Sequence, residues 1–262
     1  MTTHLFRLLK KFLIGFLGAV LISSGISQFS ASNADVTFYY AITDLGTLGS
    51  DPFAFPVAIN NAGQVVGFTR SRSGVFPGPP RSGNHTFLWQ NGAMTDLGSL
   101  GGTYQSVSGL NNLGQVVGFS QTSQGREHVF LWQNGTMTDL GSLVGENGSS
   151  RGYGINDLGQ VVGYSYLASN TNSGSSEAFL WQSGTMTGLG NLIGGYSNTA
   201  HRINNAGQIA GVLRNTSGSF TYDGFLLQNG NVTQLSNIYP YDMNNQGQIE
   251  RGVLLTPITV VN

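Results

Sequence analysis

The chain has 262 residues, of which 9% are charged, and its formal net charge is −1. This near-neutral balance excludes nucleic acid and an acidic membrane surface as expected partners. The sequence contains no cysteine, which excludes a disulfide-stapled fold, and a chain of this length can bury a core without one.

The N-terminal segment has the pattern of a secretory signal peptide. Three basic residues among the first eleven are followed by an apolar stretch over residues 12–22. Ser32 and Ala34 then supply the small residues of a cleavage site. We expect residues 1–34 to be removed, which leaves a secreted, extracellular or periplasmic protein with no membrane span. An uncleaved anchor helix is the alternative, although the apolar stretch is short for a span of about 20 residues.

The stretch INDLGQVVG at residues 155–163 suggests either a phosphate-binding loop or a turn. Related stretches stand at residues 59–67, 110–118, 203–211 and 243–251. A phosphate cradle is built once, where a strand meets a helix, and a P-loop needs a Lys and a Ser/Thr that these copies lack. Five copies at intervals of about 40 to 50 residues predict a repeat protein in which this stretch is a turn.

Each repeat is predicted to form four short antiparallel strands. In residues 95–137, SVSGL and QVVGFS flank the turn NNLG, and HVFLWQ and TMTDLG flank the turn NG. The runs VVG and VFLW do not alternate in polarity, as expected for strands covered on both faces. Trp89, Trp132 and Trp181 take the same place in successive copies and are predicted to pack between blades. Four strands in meander order are typical of a propeller blade.

Four complete repeats are followed by a shorter one. Their bounds are 43–94, 95–137, 138–186, 187–232 and 233–257. The last has three strands, and VTFYYAITDLG near the N-terminus matches the missing fourth strand. We therefore predict an all-β fold, a five-bladed β-propeller of four-stranded antiparallel blades in a single domain over residues 35–262. Its last blade would be completed by the N-terminal strand, residues 36–44 pairing with residues 252–257, which would remove open edges. An open β-solenoid is the alternative.

The repeated pattern of DLGxLGG, IN(N/D)xGQVVG and (H)xFLW(Q)NGxMTDLG resembles the HAF family of probable extracellular repeat proteins, largely from bacteria. The resemblance covers nearly all of residues 42–256. The histidine of the family's name stands at His85 and His128, whereas Glu177 and Asp223 replace it in the next two copies. The resemblance implies an extracellular address and a repeat fold, and it names no reaction.

Meander order places two kinds of loop on opposite faces. The NNxG and QNG turns share one face, here called the motif face. The longer loops between second and third strands, and between successive blades, share the other, here called the variable face. Rigid scaffolds tend to carry their specific contacts on such variable loops. The binding candidates on that face are Arg70, Arg72, Arg81, Phe53, Phe55, Tyr104, Tyr196 and Tyr222.

The first strand of each blade is expected to line the centre of the propeller. Just before the motif, it carries Tyr153, His201 and Tyr241, which are predicted to form a polar site. Arg202 and Asp242 follow them in adjacent repeats. They are either part of that site or paired with each other.

Catalysis is not expected. Five-bladed glycosidases need two or three inward carboxylates, and Asp242 is the one carboxylate at the first-strand positions. Asp44, Asp96 and Asp139 recur with the repeat and are predicted to be turn or cap residues. No Gly-x-Ser-x-Gly elbow, metal-binding cluster or EF-hand spacing is expected. We predict no catalytic residue, metal or cofactor.

The sequence predicts a monomeric binding or scaffold protein whose partner is an extracellular glycan or protein. Sugars favour aromatic faces beside neutral amides and hydroxyls, and protein partners would use the same Tyr, Phe and Arg side chains. The alternatives are a secreted propeller enzyme of the glycoside-hydrolase type and a purely structural component of an envelope or matrix.

Overall fold

The computed structural model describes residues 20–23, 26–29, 38–49, 51, 53–70, 85–167, 175–194, 197–214, 222–250 and 254–255. The chain divides into two compact units, residues 1–45 and 46–262. The first contains an antiparallel sheet of three strands, β1 Val20–Ser23, β2 Ile26–Phe29 and β3 Phe38–Ala41. Most of the predicted signal peptide lies outside the described residues.

The second unit contains five antiparallel sheets, and each is one propeller blade in meander order. Blade one is β4 Phe53–Ile59, β5 Val65–Arg70, β6 Thr86–Gln90 and β7 Ala93–Asp96. Blade two is β8 Gly101–Leu110, β9 Val116–Thr122, β10 Glu127–Gln133 and β11 Thr136–Gly141. Blade three is β12 Ser150–Ile155, β13 Val161–Tyr166, β14 Ser176–Gln182 and β15 Thr185–Gly188.

Blade four is β16 Ser197–Ile203, β17 Ile209–Arg214, β18 Tyr222–Gln228 and β19 Asn231–Leu235. A single 3-10 turn over Leu192–Gly194 precedes it. Blade five has three described strands, β20 Asp242–Met243, β21 Ile249–Glu250 and β22 Leu254–Leu255. The predicted all-β, five-bladed propeller is therefore confirmed.

Among the described strands, β3 and β22 each pair within their own sheet. β3 pairs with β2, with Phe38 opposite Phe29 and Ala41 opposite Ile26, while β22 pairs with β21. The predicted pairing of residues 36–44 with residues 252–257 would join the two units and falls partly outside the described residues. It therefore stays a prediction.

The core lies between successive blades. The second strands β9, β13 and β17 are buried along almost their whole length. The Phe of each FLW or FLL run is fully buried, and these residues are Phe87, Phe130, Phe179 and Phe225. One cluster joins Val66 and Leu88 of blade one to Val116 and Trp132 of blade two. Trp181 packs in a similar cluster, so blade packing is confirmed for these two tryptophans.

The INDLGQVVG stretch is a turn that also fastens one blade to the next. The Asn156 Oδ1 atom accepts hydrogen bonds from the backbone N–H groups of Leu158 and Gln160, at 3.1 and 3.0 Å. Its Nδ2 group donates to Gln160 Oε1 at 2.7 Å and to the backbone oxygen of Asn204, in the next blade, at 3.0 Å. One buried amide therefore closes its own turn and bridges two blades.

The same bridge recurs at the other described junctions between blades. The Nδ2 group of Asn60 donates to the Asn111 oxygen at 2.9 Å, and that of Asn111 donates to the Asn156 oxygen at 2.9 Å. Asn204 donates to the Asn244 oxygen at 3.2 Å. We call these five asparagines the amide belt. The repeated motif is explained by this belt, which supports the turn interpretation over a phosphate site.

A second row of hydrogen bonds runs outside the belt on the motif face. The backbone N–H of Asn112 donates to Asp157 Oδ1 at 2.8 Å, and that of Asp157 donates to Asn205 Oδ1 at 2.9 Å. Gly114 and Gly159, at φ of 76° and 73°, provide the left-handed residue that the turn requires, as predicted. Burial alone would raise the pKa of Asp157, but the hydrogen bonds from Asn112 and Asn205 outweigh it and lower that pKa.

The first strand of each of blades one to four contains a β-bulge that the sequence analysis missed. In blade three, Gly152 lies opposite Gly163 and Gly154 lies opposite Val162, so Tyr153 is the extra residue. The equivalent skipped residue in blade four is His201. Because a bulge redirects a side chain, the predicted polar site lies at bulge positions.

Candidate functional site

A pocket of about 550 Å³ lies over blade four, between blade three and the segment that leads into β20. Its wall is made of aromatic rings and hydroxyl groups, and we call it the tyrosine pocket. The lining residues are Tyr153, Tyr164, Tyr166, Ser176, Ser197, Thr199, His201, Val212, Arg214, Tyr222 and Tyr239.

The aromatic side chains of the pocket form a continuous wall. The His201 ring meets Tyr153 edge-on at 5.1 Å between centroids and Tyr239 at 5.3 Å, so two phenols hold the imidazole. Tyr164 lies 5.8 Å from Tyr153 and 5.3 Å from Tyr166. Such edge-to-face and tilted pairs fix ring orientation. The wall therefore presents preset aromatic faces to the cavity.

Burial keeps the imidazole and three of the phenols of the wall neutral. The pKa of His201 is lowered to about 4, first by burial and then by the nearby Arg202 charge. Burial also raises the pKa values of Tyr153, Tyr164 and Tyr239. Near neutral pH these phenols therefore carry their protons and the imidazole is uncharged.

The junction between blades two and three shows why the tyrosine pocket is open. There Arg151 fills the equivalent space. Its Nε group is 2.6 Å from Glu127 Oε2 and its guanidinium lies 4.4 Å from the centre of the Phe119 ring. Burial alone would lower the pKa of Arg151, but the hydrogen bond to Glu127 and the electrostatic interactions with Tyr164, Glu127 and Tyr153 together outweigh it, so the pKa is raised and the guanidinium stays charged.

Strand register identifies the residue that takes the place of Arg151 at the tyrosine pocket. Arg151 lies opposite Tyr164 and Thr199 lies opposite Val212, each directly after the glycine of the second strand. By the same register, Tyr164 of blade three stands where Phe119 stands in blade two. A short threonine in place of the arginine leaves the face of Tyr164 uncovered. The pocket therefore depends on a difference between repeats.

Several predicted binding residues come together at or beside the pocket. Tyr153, His201 and Tyr222 line it, and Tyr241 packs on the lining residue Tyr239 at 5.0 Å. Arg202 Nε and Asp242 Oδ1 are 3.0 Å apart, so the paired alternative for these two is the one observed.

Other predicted binding residues lie elsewhere. Tyr104 packs on Phe119 in blade two, at 5.6 Å. Phe53 and Phe55 lie 6.4 Å apart in blade one. Arg72, Arg81, Tyr196 and the side chain of Arg70 fall outside the described residues.

Sequence reasoning missed much of the wall, notably Tyr164, Tyr166, Tyr239 and Arg214. A signal for the first two was present. Blade three reads VVGYSY where the other copies read VVGFTR, VVGFSQ and IAGVLR. These two tyrosines depart from the repeat at the end of the second strand that is nearest the variable face. That departure indicates one side of the pocket.

The histidines and carboxylates that recur in the repeats make contacts within their own blades. His85 Nδ1 lies 2.7 Å from Asp96 Oδ2, and His128 Nδ1 lies 2.9 Å from Asp139 Oδ2. The Asp139 Oδ1 atom also accepts from the Gly141 backbone N–H at 2.8 Å. These contacts join the third and fourth strands and confirm the predicted turn role of Asp96 and Asp139, since Asp96 makes the same bond to Gly98.

In blades three and four, the carboxylate that fixes the loop after the fourth strand comes from the third strand instead. Glu177 Oε1 accepts from the Gly190 N–H at 2.8 Å, and Asp223 Oδ1 accepts from the Asn237 N–H at 2.8 Å. Where the fourth strand has lost its aspartate, the third strand has therefore replaced histidine with an acid. The exchange keeps the loop after the fourth strand fixed.

We expect the His128–Asp139 pair to make stability depend on pH. The hydrogen bond to Asp139 raises the pKa of His128 above 6.5. The contribution of His128 is therefore fully present below about pH 6.5, while Asp139 is ionised, and is lost as pH rises through the folded-state pKa of His128. Urea unfolding should show a stability difference between wild type and His128→Gln at pH 6 that shrinks by pH 9.

The matched control for this experiment is His85→Gln. The His85 side chain is 53% exposed, against 5% for His128, so solvent screens its ion pair. We expect a small stability change from it at either pH. A difference for His128→Gln that stays constant between the two pH values would contradict the ion-pair assignment.

The expectation that the chain has no Gly-x-Ser-x-Gly stretch is wrong. Residues 148–152 read GSSRG. The central Ser150 is fully buried at the start of β12, where its Oγ donates to the Gly141 oxygen at 2.6 Å and accepts from the Val129 N–H at 3.1 Å. A nucleophile elbow exposes its serine between a strand and a helix. Ser150 instead fastens blade three to blade two.

None of the helices in the described ranges is long and apolar enough to cross a membrane. In the same part of the chain, no three His, Asp or Glu side chains are grouped so that they could hold a metal ion.

Comparison with known proteins supports the fold. TolB from Agrobacterium tumefaciens aligns with a TM-score of 0.50 and 12% identity over 82% of this chain and 75% of its own. A puromycin-hydrolysing peptidase from Mycobacterium tuberculosis aligns with a TM-score of 0.51 and 9% identity over 83% of this chain. This chain spans 37% of that peptidase. At such identities the likeness shows the propeller fold alone.

No family model and no curated protein sequence matches the chain. The resemblance to the HAF repeat therefore stays a prediction.

Proposed function

We propose that this chain is a secreted propeller that binds a saccharide in the tyrosine pocket. The observation that carries the proposal is the wall itself, a cavity of about 550 Å³ lined by five tyrosines, three hydroxyl side chains and a neutral imidazole. The signal-peptide pattern and the HAF resemblance support the extracellular address.

The chemistry of the wall matches a sugar ring. Aromatic faces cover the apolar C–H faces of a sugar, and hydroxyl groups both donate to and accept from its hydroxyls. Tyr153, Tyr164 and Tyr166 contact one another and His201 links Tyr153 to Tyr239, so little side-chain entropy of these rings remains to be lost on binding. A protein partner would use the same surface, and it is an outcome of the test below.

Binding is proposed rather than hydrolysis because of the groups that the wall supplies. Glycoside hydrolysis needs an acid and a nucleophile or base, commonly two carboxyl groups about 5 to 10 Å apart. The residues that line the pocket include neither aspartate nor glutamate. Asp242, the acid that the sequence placed nearby, is bonded to Arg202 at 3.0 Å.

We expect Thr199→Arg to abolish saccharide binding. The new side chain would lie over Tyr164 as Arg151 lies over Phe119, and so would fill the cavity while leaving every aromatic residue in place. The mature protein, collected from culture supernatant, is first screened on a glycan array. The strongest saccharide is then titrated by calorimetry, where the variant should bind at least about tenfold more weakly, equivalent to ~1.4 kcal/mol.

The matched control is Ser106→Arg. Ser106 occupies the equivalent position in blade two, opposite Phe119, so the control adds the same charge and bulk at a different junction. It should keep wild-type affinity, and thermal unfolding checks that both variants fold. If no saccharide binds and a pull-down from the supernatant recovers a protein whose capture Thr199→Arg prevents, the pocket is a protein-binding site and the saccharide proposal is wrong.

A further inference from the structure

His201 differs from the other two histidines in the described ranges. His85 and His128 each bond a carboxylate through Nδ1, at 2.7 and 2.9 Å. His201 is partly buried and lines the tyrosine pocket, yet neither nitrogen of its ring has a hydrogen-bond partner in the part of the chain that the structure describes. Polar groups that are withdrawn from water are usually hydrogen-bonded. The imidazole therefore has unused hydrogen-bonding capacity at the wall of the cavity.

The imidazole of His201 is held by aromatic contacts rather than through its nitrogens. Tyr153 and Tyr239 meet the ring at 5.1 and 5.3 Å between centroids, with interplanar angles of 64° and 62°. One phenol comes from blade three and the other from the segment that leads into β20, so the ring is fixed from two sides. A side chain that is already fixed loses little entropy when a ligand binds.

These contacts leave the tautomer of His201 open. In a neutral imidazole, the nitrogen that carries the proton is set by the hydrogen bond that the other nitrogen makes, and His201 makes none within the described residues. The ring can therefore donate or accept, as can the hydroxyl groups of Ser176, Ser197 and Thr199 in the same lining. A saccharide hydroxyl has the same dual capacity, whereas a carboxylate only accepts and an ammonium only donates.

The charged groups around His201 belong to its own strand and to the strands that pack on it. Arg202, the next residue of β16, is paired with Asp242 of β20 at 3.0 Å. Arg214 of β17 lines the cavity and has an interaction partner within the protein. Glu177 of β14 is bonded to a backbone N–H group at 2.8 Å. The phenols that line the cavity from β12, β13, β18 and the segment before β20 are Tyr153, Tyr164, Tyr166, Tyr222 and Tyr239. Each charged group named here thus has a partner in the protein, which favours a ligand without charge.

We propose that the tyrosine pocket binds an uncharged saccharide and that His201 selects it through a hydrogen bond between one ring nitrogen and a saccharide hydroxyl. This inference rests on the proposed function of the pocket, and it names the class of the ligand and a residue that determines specificity. The tyrosine faces cover the C–H surface of the sugar, while the imidazole distinguishes sugars by the position of a hydroxyl. A site that bonds a substrate hydroxyl rejects the analogue that lacks it, because its own polar group is then left without a partner.

The first test is a double-mutant cycle between His201 and the sugar. The probes are the strongest uncharged saccharide of the glycan array and its monodeoxy analogues, each of which lacks one hydroxyl. Calorimetry at pH 6 on the purified protein should find one analogue that binds wild type about tenfold more weakly than the parent saccharide. His201→Phe, which keeps an aromatic ring and removes both nitrogens, should bind that analogue and the parent about equally.

The second test is the pH dependence of affinity. Burial and the Arg202 charge lower the pKa of His201 to about 4, and the described residues of the lining include neither Asp nor Glu. A sugar that needs the neutral imidazole should therefore bind about fourfold more weakly at pH 3.5 than at pH 6, because protonation competes with binding below that pKa. His201→Phe should lose this dependence. Asp242→Asn, which removes the acid paired with Arg202, should retain most of it, and circular dichroism checks the fold at both pH values.

His201→Gln keeps the test decisive if His201→Phe does not fold. Glutamine can donate and accept but does not titrate, so this variant should keep part of the discrimination between hydroxyls and lose the acid dependence. Discrimination or acid dependence that is the same in wild type and in the His201 variants overturns the role of His201 and leaves the saccharide pocket standing. Tighter binding of uronates or amino sugars than of any uncharged sugar overturns the uncharged class. If the array is blank and no sugar binds, the proposed function itself fails.

Discussion

Replacing Asn156 with alanine is expected to lower the free energy of unfolding by about 3–5 kcal/mol. The side chain is 3% exposed and takes part in four hydrogen bonds, two that close its turn and two from its Nδ2 group. Each such bond contributes about 0.5–1.5 kcal/mol net, and a buried group left without its partner costs a further 1–3 kcal/mol. Urea unfolding followed by circular dichroism measures the change.

The control for this prediction is Asn112→Ala. Asn112 stands in the outer, exposed row of the same face, where its side chain bonds Asp157 at 2.9 Å and the Asn61 N–H at 3.0 Å. Water can replace those bonds, so a change of about 0.5 kcal/mol is expected. If Asn156→Ala were as mild as Asn112→Ala, the amide belt would not hold the blades together. The repeated motif would then need another explanation, such as a binding site.

The repeat made most of the fold predictable from the sequence. Strand bounds followed from NNxG and QNG, because each turn type demands these residues at a fixed place. The buried Phe of FLW and the apolar VVG run identified strands covered on both faces. What the repeat could not reveal was the pairing of β3 with β2, because residues 26–29 carry no part of the repeated pattern.

The site was predicted less well than the fold, for a related reason. The sequence located Tyr153 and His201 because both precede the motif at the same position. It could not place Tyr239, which lies in the irregular segment before β20, or Arg214, whose position depends on the register of β17 with its neighbours. Nor could it show that Thr199 opens the cavity, since that follows only when Arg151 is found to fill the equivalent space. The candidate site in this propeller lies where the repeats differ.

Gly163→Ala is expected to destabilise the propeller by about 3 kcal/mol or more, at the upper end of overpacking effects. Gly163 lies in β13 directly opposite Gly152, beside the bulge that draws the first two strands together. A Cβ atom there would overlap the backbone oxygen of Arg151 and approach the Gly152 Cα at 3.0 Å. Neither atom belongs to a flexible side chain, so relief requires the strands to separate. Gly118 and Gly211 face the same overlap in their own blades.

The comparison that isolates this cause is Gly135→Ala. Gly135 stands in an exposed hairpin turn at φ of 83° with nothing within 4 Å of an added Cβ. Alanine at position 135 is destabilised only by the strain of the left-handed conformation, about 1 kcal/mol. Alanine at position 163 is destabilised only by the close approach of its Cβ atom to the neighbouring strand. Urea unfolding should therefore show a clearly lower free energy of unfolding for Gly163→Ala than for Gly135→Ala. Equal losses would mean that the strands part easily at the bulge. Because Arg151 and Tyr164 flank this contact, a bulge that parts easily would also leave the tyrosine wall loosely held.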